Sequence, residues 1–320
     1  MLSLHNAGRA QPIVHEKGAP LPGDATWYDL DEPDEDEIRR VEQATGLEVP
    51  RREQIGGLGL SNRNRVDERA LHLHMALYTD DDGTPACSPL GMVVTRESLL
   101  TLRFAKSKAV DTASRRLRES DDDKDGAGAF ATLLETIANH VAEQMQEIAA
   151  DMARLSARVF VEEYLDTRTL HRLILSVGKL ESRLTRYRTS LLGVARMVGF
   201  VEHRAPDWMP EAALLRLHTI ANDLKTLDEF DDQLTGKLQF LLDAILGFIN
   251  TDQNAVMKLL TAASVVTIPP IILAAIWGMN FRHMPDLDPR WAYPAALLAI
   301  LASIVLPLLW FKRRGWLSRD

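Results

Sequence analysis

The sequence predicts an α/β domain followed by a long α-helical stalk and two C-terminal transmembrane helices. Two apolar runs without any charged residue, Leu259 to Trp277 and Trp291 to Phe311, lie near the end of a chain that is otherwise mostly polar. A helix rises about 1.5 Å per residue and the hydrocarbon core of a bilayer is about 30 Å thick, so each run is long enough to cross it. A pair of buried core helices is the alternative interpretation.

The segment 1–126 carries the signals of a mixed α/β domain. Ala25 to Leu30 is expected to be extended, and the acidic residues after Pro33 favour a helix from Glu35 to Thr45, which Gly46 would end. Alternating or β-branched apolar residues predict further strands over Leu71 to Leu77, Met92 to Thr95 and Leu99 to Phe104. We therefore expect a half-buried sheet in this domain.

The segment 127–205 changes to helical periodicity. Long helical runs extend from Leu133 to Phe160 and from Thr169 to Met197. Apolar residues at this period are typical of amphipathic helices. We expect a helical hairpin that precedes the stalk.

The stalk, 206–256, contains the most regular pattern in the chain. Apolar residues recur at alternating spacings of three and four from Leu217 to Phe248, and only Asp231 interrupts them. No proline falls between Glu211 and Ile268. One helix of about 100 Å can therefore continue from the stalk through the first span, 257–277. Such a rod needs partner helices, whereas an ordinary amphipathic surface helix is the alternative.

Basic residues predict the orientation of the spans in the membrane. A loop, 278–290, separates the first span from the second, 291–311, and a basic tail, 312–320, follows. Positive charges flank the spans on the stalk side, at Lys258, Lys312, Arg313 and Arg314, whereas the loop has two arginines and two aspartates. Because lysine and arginine are retained on the cytoplasmic side, we expect an extracytoplasmic loop and two cytoplasmic termini. The N-terminal residues lack the apolar core of a signal peptide, which agrees.

Composition narrows the class of protein. The 320 residues carry a net charge of −8 and one cysteine, Cys87, which excludes an intrachain disulfide and fits a reducing compartment. We interpret Lys312 to Arg314 as a membrane anchor and expect no nucleic-acid partner, because the remainder is acidic. No arrangement of nucleophile, base and acid has supporting context, so we expect no enzyme activity and no organic cofactor. His72 and His74 share a strand face and could bind a metal, but a solvent-facing position is favoured.

One side of the helix that enters the membrane carries polar and small residues among apolar ones. This side, called the path face below, consists of Asn254, Met257, Thr261, Ser264, Ile268 and Ala275. Two transmembrane helices cannot surround an aqueous path, so transport would need several copies around an axis. The alternative for Thr261 and Ser264 is that their hydroxyl groups only bond to their own helix.

Motifs near the membrane carry a family resemblance. Gly278 to Asn280 follows the first span directly and precedes Met284 to Leu287, and Lys312 to Leu317 follows the second span. Gly247 to Asn250 in the stalk and Trp27 to Leu30 in the front domain belong to the same pattern. With these motifs the chain resembles the CorA family of magnesium and cobalt transporters, known by its GMN motif, over nearly its whole length.

The resemblance implies a CorA-like funnel. It would be a homopentamer in the cell inner membrane, with the first spans lining the pore and the second spans outside them. Pore-lining positions of that family are matched by Asn254, Met257, Thr261 and Ile268, and Asp243 would lie near the inner end of the path. The outer mouth would consist of Gly278, Met279 and Asn280, with the asparagine ring selecting the ion.

The function implied is channel-type transport of Mg²⁺, and also of Co²⁺ or Ni²⁺, driven by the membrane potential. An amide oxygen of Asn280 can recognise hydrated Mg²⁺, which releases its water reluctantly. Trp277, Ala275 and Ile268 depart from the residues usual in the family while keeping an apolar constriction. The alternatives are a zinc or other divalent-cation transporter of a diverged branch, and a non-transporting membrane scaffold or mechanosensor.

The resemblance also implies gating by cytosolic Mg²⁺, which would bind acidic residues. Acidic residues are frequent in the front domain and on the stalk: Asp29, Asp31, Glu32, Asp34 to Glu37, Asp223, Asp228, Glu229, Asp231 and Asp232. No particular pair can be assigned to sensing, and a charge run is also typical of a solvated surface. Mg²⁺ is therefore expected as the transported ion and as a regulatory ligand at unassigned positions.

Overall fold

The computed structural model describes residues 1–8, 13–14, 21–55, 64–79, 86–119, 124–161, 166–279 and 291–315. The strands in these ranges are β1 Leu2–His5, β2 Ile13–Val14, β3 Trp27–Asp31, β4 Arg65–Val66, β5 Leu71–Thr79, β6 Ala86–Val94 and β7 Leu99–Arg103. The helices are α1 Glu35–Thr45, α2 Arg52–Ile55, α3 Lys108–Glu119, α4 Gly126–Val161, α5 Thr167–Arg204, α6 Glu211–Trp277 and α7 Ala292–Arg313. This element order confirms the predicted fold class.

The strands form one mixed sheet in the order β2-β1-β3-β7-β6-β5-β4. β3 and β7 are parallel, and the other neighbouring strands are antiparallel. One apolar core joins Leu100 and Leu102 of β7 to Ile38 and Val41 of α1. Because side chains alternate between the two faces of a sheet, Thr101 lies on the opposite face, and it is also fully buried. Both faces of this central strand are therefore covered.

α1 has the bounds predicted from the sequence. The Asp34 carboxylate accepts a hydrogen bond from the backbone N–H of Glu37 (2.8 Å), and the Glu37 carboxylate accepts one from the N–H of Asp34 (3.1 Å). This reciprocal cap satisfies two donors that a helix start leaves without partners. Gly46 follows the helix with φ of 69°, a left-handed conformation that glycine adopts without strain.

β1 and α3 were not predicted, and β6 is longer than predicted. β1 has only 4 residues and forms by pairing with β3, with Leu4 opposite Tyr28, which local periodicity does not reveal. α3 is amphipathic, but its buried side consists mostly of small residues, with Leu117 as the largest buried side chain. β6 contains Pro89, a residue that normally argues against a central strand. It is tolerated because β7 pairs with β6 only from Leu90 onwards.

A buried ion pair links β3 to β7. The Asp29 carboxylate accepts hydrogen bonds from the Thr101 hydroxyl (2.6 Å) and from Nε of Arg103 (3.1 Å), and Trp27 Nε1 donates to Thr101 Oγ1 (2.8 Å). The side chains of Arg103 and Asp29 are 11% and 4% exposed. Burial by itself would lower the pKa of the Arg103 guanidinium, but three surrounding carboxylates raise it above its ordinary value. Asp29 therefore belongs to the core and not to a solvated acidic surface.

Asp231 interrupts the apolar pattern of α6 because it forms a buried ion pair with α5. Its side chain is 0% exposed, and its Oδ2 lies 3.1 Å from Nη1 of Arg188. The other amino group of Arg188 lies 3.4 Å from Asp232. Burial raises the pKa of Asp231 above its ordinary value, although Arg188 opposes that shift. α5 thus supplies one of the partner helices that the stalk was expected to need.

α5 approaches β5 closely at Gly193. A Cβ atom on Gly193 would lie 3.0 Å from Cβ of Met75. One turn earlier, the Ser190 hydroxyl accepts a hydrogen bond from the N–H of Tyr78 (2.8 Å), and the Tyr187 ring packs edge-on against the Tyr78 ring at 4.8 Å. Gly193 therefore allows the helix to pack directly on the strand.

Gly193→Ala is expected to lower stability although alanine favours a helix by about 1 kcal/mol over glycine. The added methyl group forces Met75 or α5 to shift, which costs about 1–3 kcal/mol in a packed core. Gly178 on the same helix has no atom within 4 Å of its Cβ position, so Gly178→Ala is the matched control and should be neutral or stabilising. Thermal unfolding of the detergent-solubilised variants compares them. A Tm for Gly193→Ala at or above that of Gly178→Ala would contradict tight packing here.

The chain forms two compact units. The first, called the front unit below, comprises residues 1–165 and 171–242, and the second comprises residues 166–170 and 243–320. The second unit holds the C-terminal part of α6 together with α7. α6 begins directly after Pro210, so residues 206–210 of the predicted stalk precede the helix. The predicted segment boundaries otherwise stay a prediction.

Candidate functional site

The second unit contains two helices that are long and apolar enough to cross a membrane, the C-terminal part of α6 and the whole of α7. In the most apolar 18-residue window of each helix, 0% and 6% of the residues are buried inside the chain. A core helix of a soluble protein would be mostly buried, so the alternative of two core helices does not fit. Both helices present apolar surface for lipid or for other transmembrane helices.

The path face lies along one side of α6. With about 100° between successive residues, its six members fall within an arc of about 80°, and Asp243 falls within the same arc. All seven side chains are exposed in the single chain except that of Ser264, which is half-buried. Asn250 and Ile272 share this arc and were not among the predicted site residues. The same three-and-four spacing that selected the others would have found them.

The hydroxyl groups in the membrane part of α6 bond within their own helix. Thr261, Ser264 and Thr267 each donate the hydroxyl proton to the carbonyl oxygen four residues earlier, at 2.8, 2.9 and 2.7 Å. This is the alternative left open by the sequence. Each hydroxyl oxygen keeps its acceptor lone pairs, so these groups can still accept hydrogen bonds from water.

Between Asp243 and the end of α6, the path face carries no charged side chain. Its oxygen atoms come from the amide of Asn254 and from hydroxyl groups, and apolar Met257 and Ile268 lie between or beyond them. Neutral oxygens can accept hydrogen bonds from the water shell of a dication without binding the ion tightly. This arrangement suits the passage of a hydrated cation.

α6 ends at Trp277, and Gly278 and Met279 begin the predicted mouth. The N–H of Gly278 donates to the carbonyl of Ala274 at 3.0 Å, and a Cβ on Gly278 would lie 3.1 Å from that same oxygen. Glycine therefore permits this tight helix end. Asn280, the predicted selectivity residue, lies outside the described residues. The other motif residues outside them are Met284 to Leu287, Trp316 and Leu317.

The C-terminal end of α7 carries the predicted membrane anchor. Lys312 and Arg313 occupy the last turn, where positive charge complements the helix dipole. The Arg314 guanidinium carbon lies 4.8 Å from the centroid of the Trp310 ring, a cation–π contact. Tryptophan is enriched at both membrane–water interfaces, so this end of α7 fits an interfacial position.

Several acids considered for Mg²⁺ sensing have partners within the front unit. Asp29 and Asp231 form the buried ion pairs described above, and Asp34 and Glu37 cap α1. Their interpretation as a solvated surface is therefore wrong for Asp29 and Asp231. The stalk acids that are exposed in the single chain include Asp223, Asp228 and Glu229.

His72 and His74 are half-buried, so the favoured solvent-facing position holds for them only in part. Both line a cavity of about 230 Å³ together with Gln54 and Ile55 of α2. The His72 side chain is 13% exposed, its Nε2 lies 3.0 Å from the Asp67 carboxylate, and burial lowers its pKa. Within the described ranges, no group of three or more histidine, cysteine or acidic side chains is arranged to hold a metal ion.

Comparisons with known proteins agree along the whole chain. The family described as "CorA-like Mg2+ transporter protein" matches residues 22–313. The magnesium transport protein CorA of Salmonella typhimurium is 30% identical over 296 residues, which cover 92% of each chain. That of Escherichia coli K12 is 30% identical over 310 residues, covering 96% of this chain and 94% of the relative. The complete structure of the CorA magnesium transporter from Methanocaldococcus jannaschii has a TM-score of 0.75 at 17% identity and covers 99% of both chains.

Proposed function

This chain belongs to the CorA-like Mg²⁺ transporter family, and from that premise we propose that it conducts Mg²⁺ across the cell inner membrane. Five copies would surround one path, with the path face of each α6 turned to the axis and each α7 outside it. Both termini would lie in the cytoplasm. Co²⁺ and Ni²⁺, which have similar hydrated shells, would pass by the same route.

One observation carries this proposal most directly. A single helix of 67 residues, α6, runs from the front unit through the membrane, and it keeps polar, uncharged and apolar path-face residues within one narrow arc. A scaffold or mechanosensor has no need for aligned acceptor oxygens on one side of its first span. An aqueous path between several copies does need them.

The membrane potential supplies the driving force. Moving two charges through an inside-negative potential is favourable by about 4.6 kcal/mol per 100 mV. Asp243, at the inner end of the path face, would attract the arriving cation. No bound nucleotide is required by this mechanism.

We propose further that cytosolic Mg²⁺ closes the path by binding exposed acids of the front unit and stalk. Asp223, Asp228 and Glu229 are candidates because they are exposed on α6. Mg²⁺ bound between neighbouring copies would hold the stalks in one arrangement and so reduce conduction. The sensing positions are part of the proposal and not of the described geometry.

Flux into proteoliposomes tests the function. The purified protein is reconstituted with a Mg²⁺-sensitive dye inside and an inside-negative potential, and Co²⁺, Ni²⁺ or Zn²⁺ is added as competitor. We expect Mg²⁺ uptake. Co²⁺ or Ni²⁺ should inhibit this uptake, and Mg²⁺ on the stalk side should reduce it. Uptake of Zn²⁺ but not of Mg²⁺ would favour a zinc transporter of a diverged branch of the superfamily. If no ion moved, a non-transporting membrane scaffold would be favoured.

A further inference from the structure

Two consecutive prolines, Pro269 and Pro270, lie inside α6 where it crosses the membrane. Proline has no backbone N–H, so it cannot donate to the carbonyl four residues earlier, and its ring pushes that carbonyl away from the helix. The carbonyl oxygens of Val265 and Val266 therefore lack their usual helical donors.

The two carbonyls lie on different sides of the helix. Val265 is four residues after Thr261 and three residues before Ile268, so it borders the path face. Its side chain is 42% exposed in the single chain. Val266 is rotated by about 100° further round the helix, away from the path face.

The neighbouring hydroxyl groups already donate their protons to other carbonyl oxygens. Thr261, Ser264 and Thr267 donate to the carbonyls of residues 257, 260 and 263. A hydroxyl has one proton to donate, so these three side chains cannot also satisfy Val265. Within a membrane, a backbone acceptor without a protein donor is tolerated where it faces water. The chemistry of this segment thus points to water beside Val265.

We propose that the Val265 carbonyl oxygens, one from each copy, form a ring of acceptors in the middle of the ion path. The ring would accept hydrogen bonds from the first-shell water of a hydrated divalent cation, beside the apolar constriction at Ile268. Backbone oxygens suit this task because they are neutral, strongly polar and held in place by the helix. The inference rests on the proposed function, since it requires the path face to surround a conducting pore.

Exchanging each proline for alanine tests this ring with a matched control. Pro269→Ala restores the N–H that bonds to the Val265 carbonyl, and Pro270→Ala restores the one that bonds to the Val266 carbonyl. Both substitutions remove one proline ring from the same consecutive pair. Mg²⁺ uptake is measured for both full-length variants and for wild type in proteoliposomes, after the mass of each purified complex has been shown to be equal.

The ring predicts that Pro269→Ala lowers Mg²⁺ uptake by about tenfold, as expected for loss of a hydrogen bond to a charged species, while Pro270→Ala stays within about twofold. Equal losses in the two variants would assign the prolines to helix bending and overturn the ring. Unchanged uptake in Pro269→Ala would also overturn it, with the transport function intact. Absence of Mg²⁺ uptake in wild type would overturn the proposed function and the ring together.

Discussion

Asn280→Ala is expected to abolish Mg²⁺ uptake. The side-chain amide of Asn280 would accept hydrogen bonds from the hydrated ion at the outer mouth, and alanine has no oxygen there. One hydrogen bond to a charged group is worth about 1.5–3 kcal/mol, and symmetry removes it from every copy at once. Uptake should therefore fall by about a hundredfold or more, to the level of empty liposomes. The measurement is the initial rate of dye response under an inside-negative potential.

Asn222→Ala is the control for this substitution. Asn222 is exposed on the stalk part of α6, away from the membrane, and its replacement should leave uptake within about twofold of wild type. Wild-type rates in Asn280→Ala would show that the asparagine ring does not select the ion. Equal losses in both variants would point to a general defect of assembly.

Arg103→Met is expected to have the largest effect on stability. It removes the guanidinium that pairs with Asp29 at 3.0 Å and leaves that carboxylate, 4% exposed, without its counter-ion. Breaking a buried ion pair in this way costs about 3–5 kcal/mol. Thermal unfolding of the detergent-solubilised protein, followed by tryptophan fluorescence, should show a much lower Tm.

A second substitution separates lost charge compensation from lost packing. Asp29→Asn combined with Arg103→Met removes the uncompensated charge, so the double variant should recover part of the lost stability. Arg39→Met is a control, because Arg39 is 64% exposed and a surface ion pair contributes little. A Tm for Arg103→Met close to that of the Arg39→Met control would mean that the Asp29 pair does not stabilise the sheet.

The membrane-spanning part of the fold could be predicted because the sequence features that specify it are continuous along the chain and extend over many residues. A charge-free run of the length of a bilayer has few interpretations, and the absence of proline from Glu211 to Ile268 allowed the continuous helix that α6 forms. α1 was predicted with its bounds because Asp34 and Gly46 are caps whose chemistry acts within a few residues. Signals of this kind need no tertiary information.

The features that were missed depend on contacts between distant residues. β1 exists through pairing with β3, and the burial of Asp231 depends on Arg188 of another helix. The half-burial of His72 was not expected because nothing in its own strand shows that α2 lies across the same cavity. A polar residue within an apolar pattern, such as Asp231, therefore indicates a buried partner, but the sequence pattern does not identify that partner.

In the candidate site, too, some features could be predicted from the sequence and others could not. The spacing of the path face could be read from the sequence, and the continuous α6 gives it one side of a helix. The commitment of the Thr261 and Ser264 hydroxyl protons to their own helix required coordinates. The number of copies around the axis depends on surfaces between chains, so it stays part of the proposal.

Inhibition of Mg²⁺ uptake by a thiol reagent tests most directly whether the path face lines an ion path. Cys87 is the only cysteine in the sequence, so Cys87→Ser provides a cysteine-free background. In that background Thr261→Cys places a thiol on the path face, and Ala263→Cys places one about 160° round the same helix. A small, positively charged methanethiosulfonate reagent is added to each variant during Mg²⁺ uptake. We expect the reagent to stop uptake through Thr261→Cys and to spare Ala263→Cys; equal block of both, or block of Ala263→Cys alone, would contradict an ion path along this face.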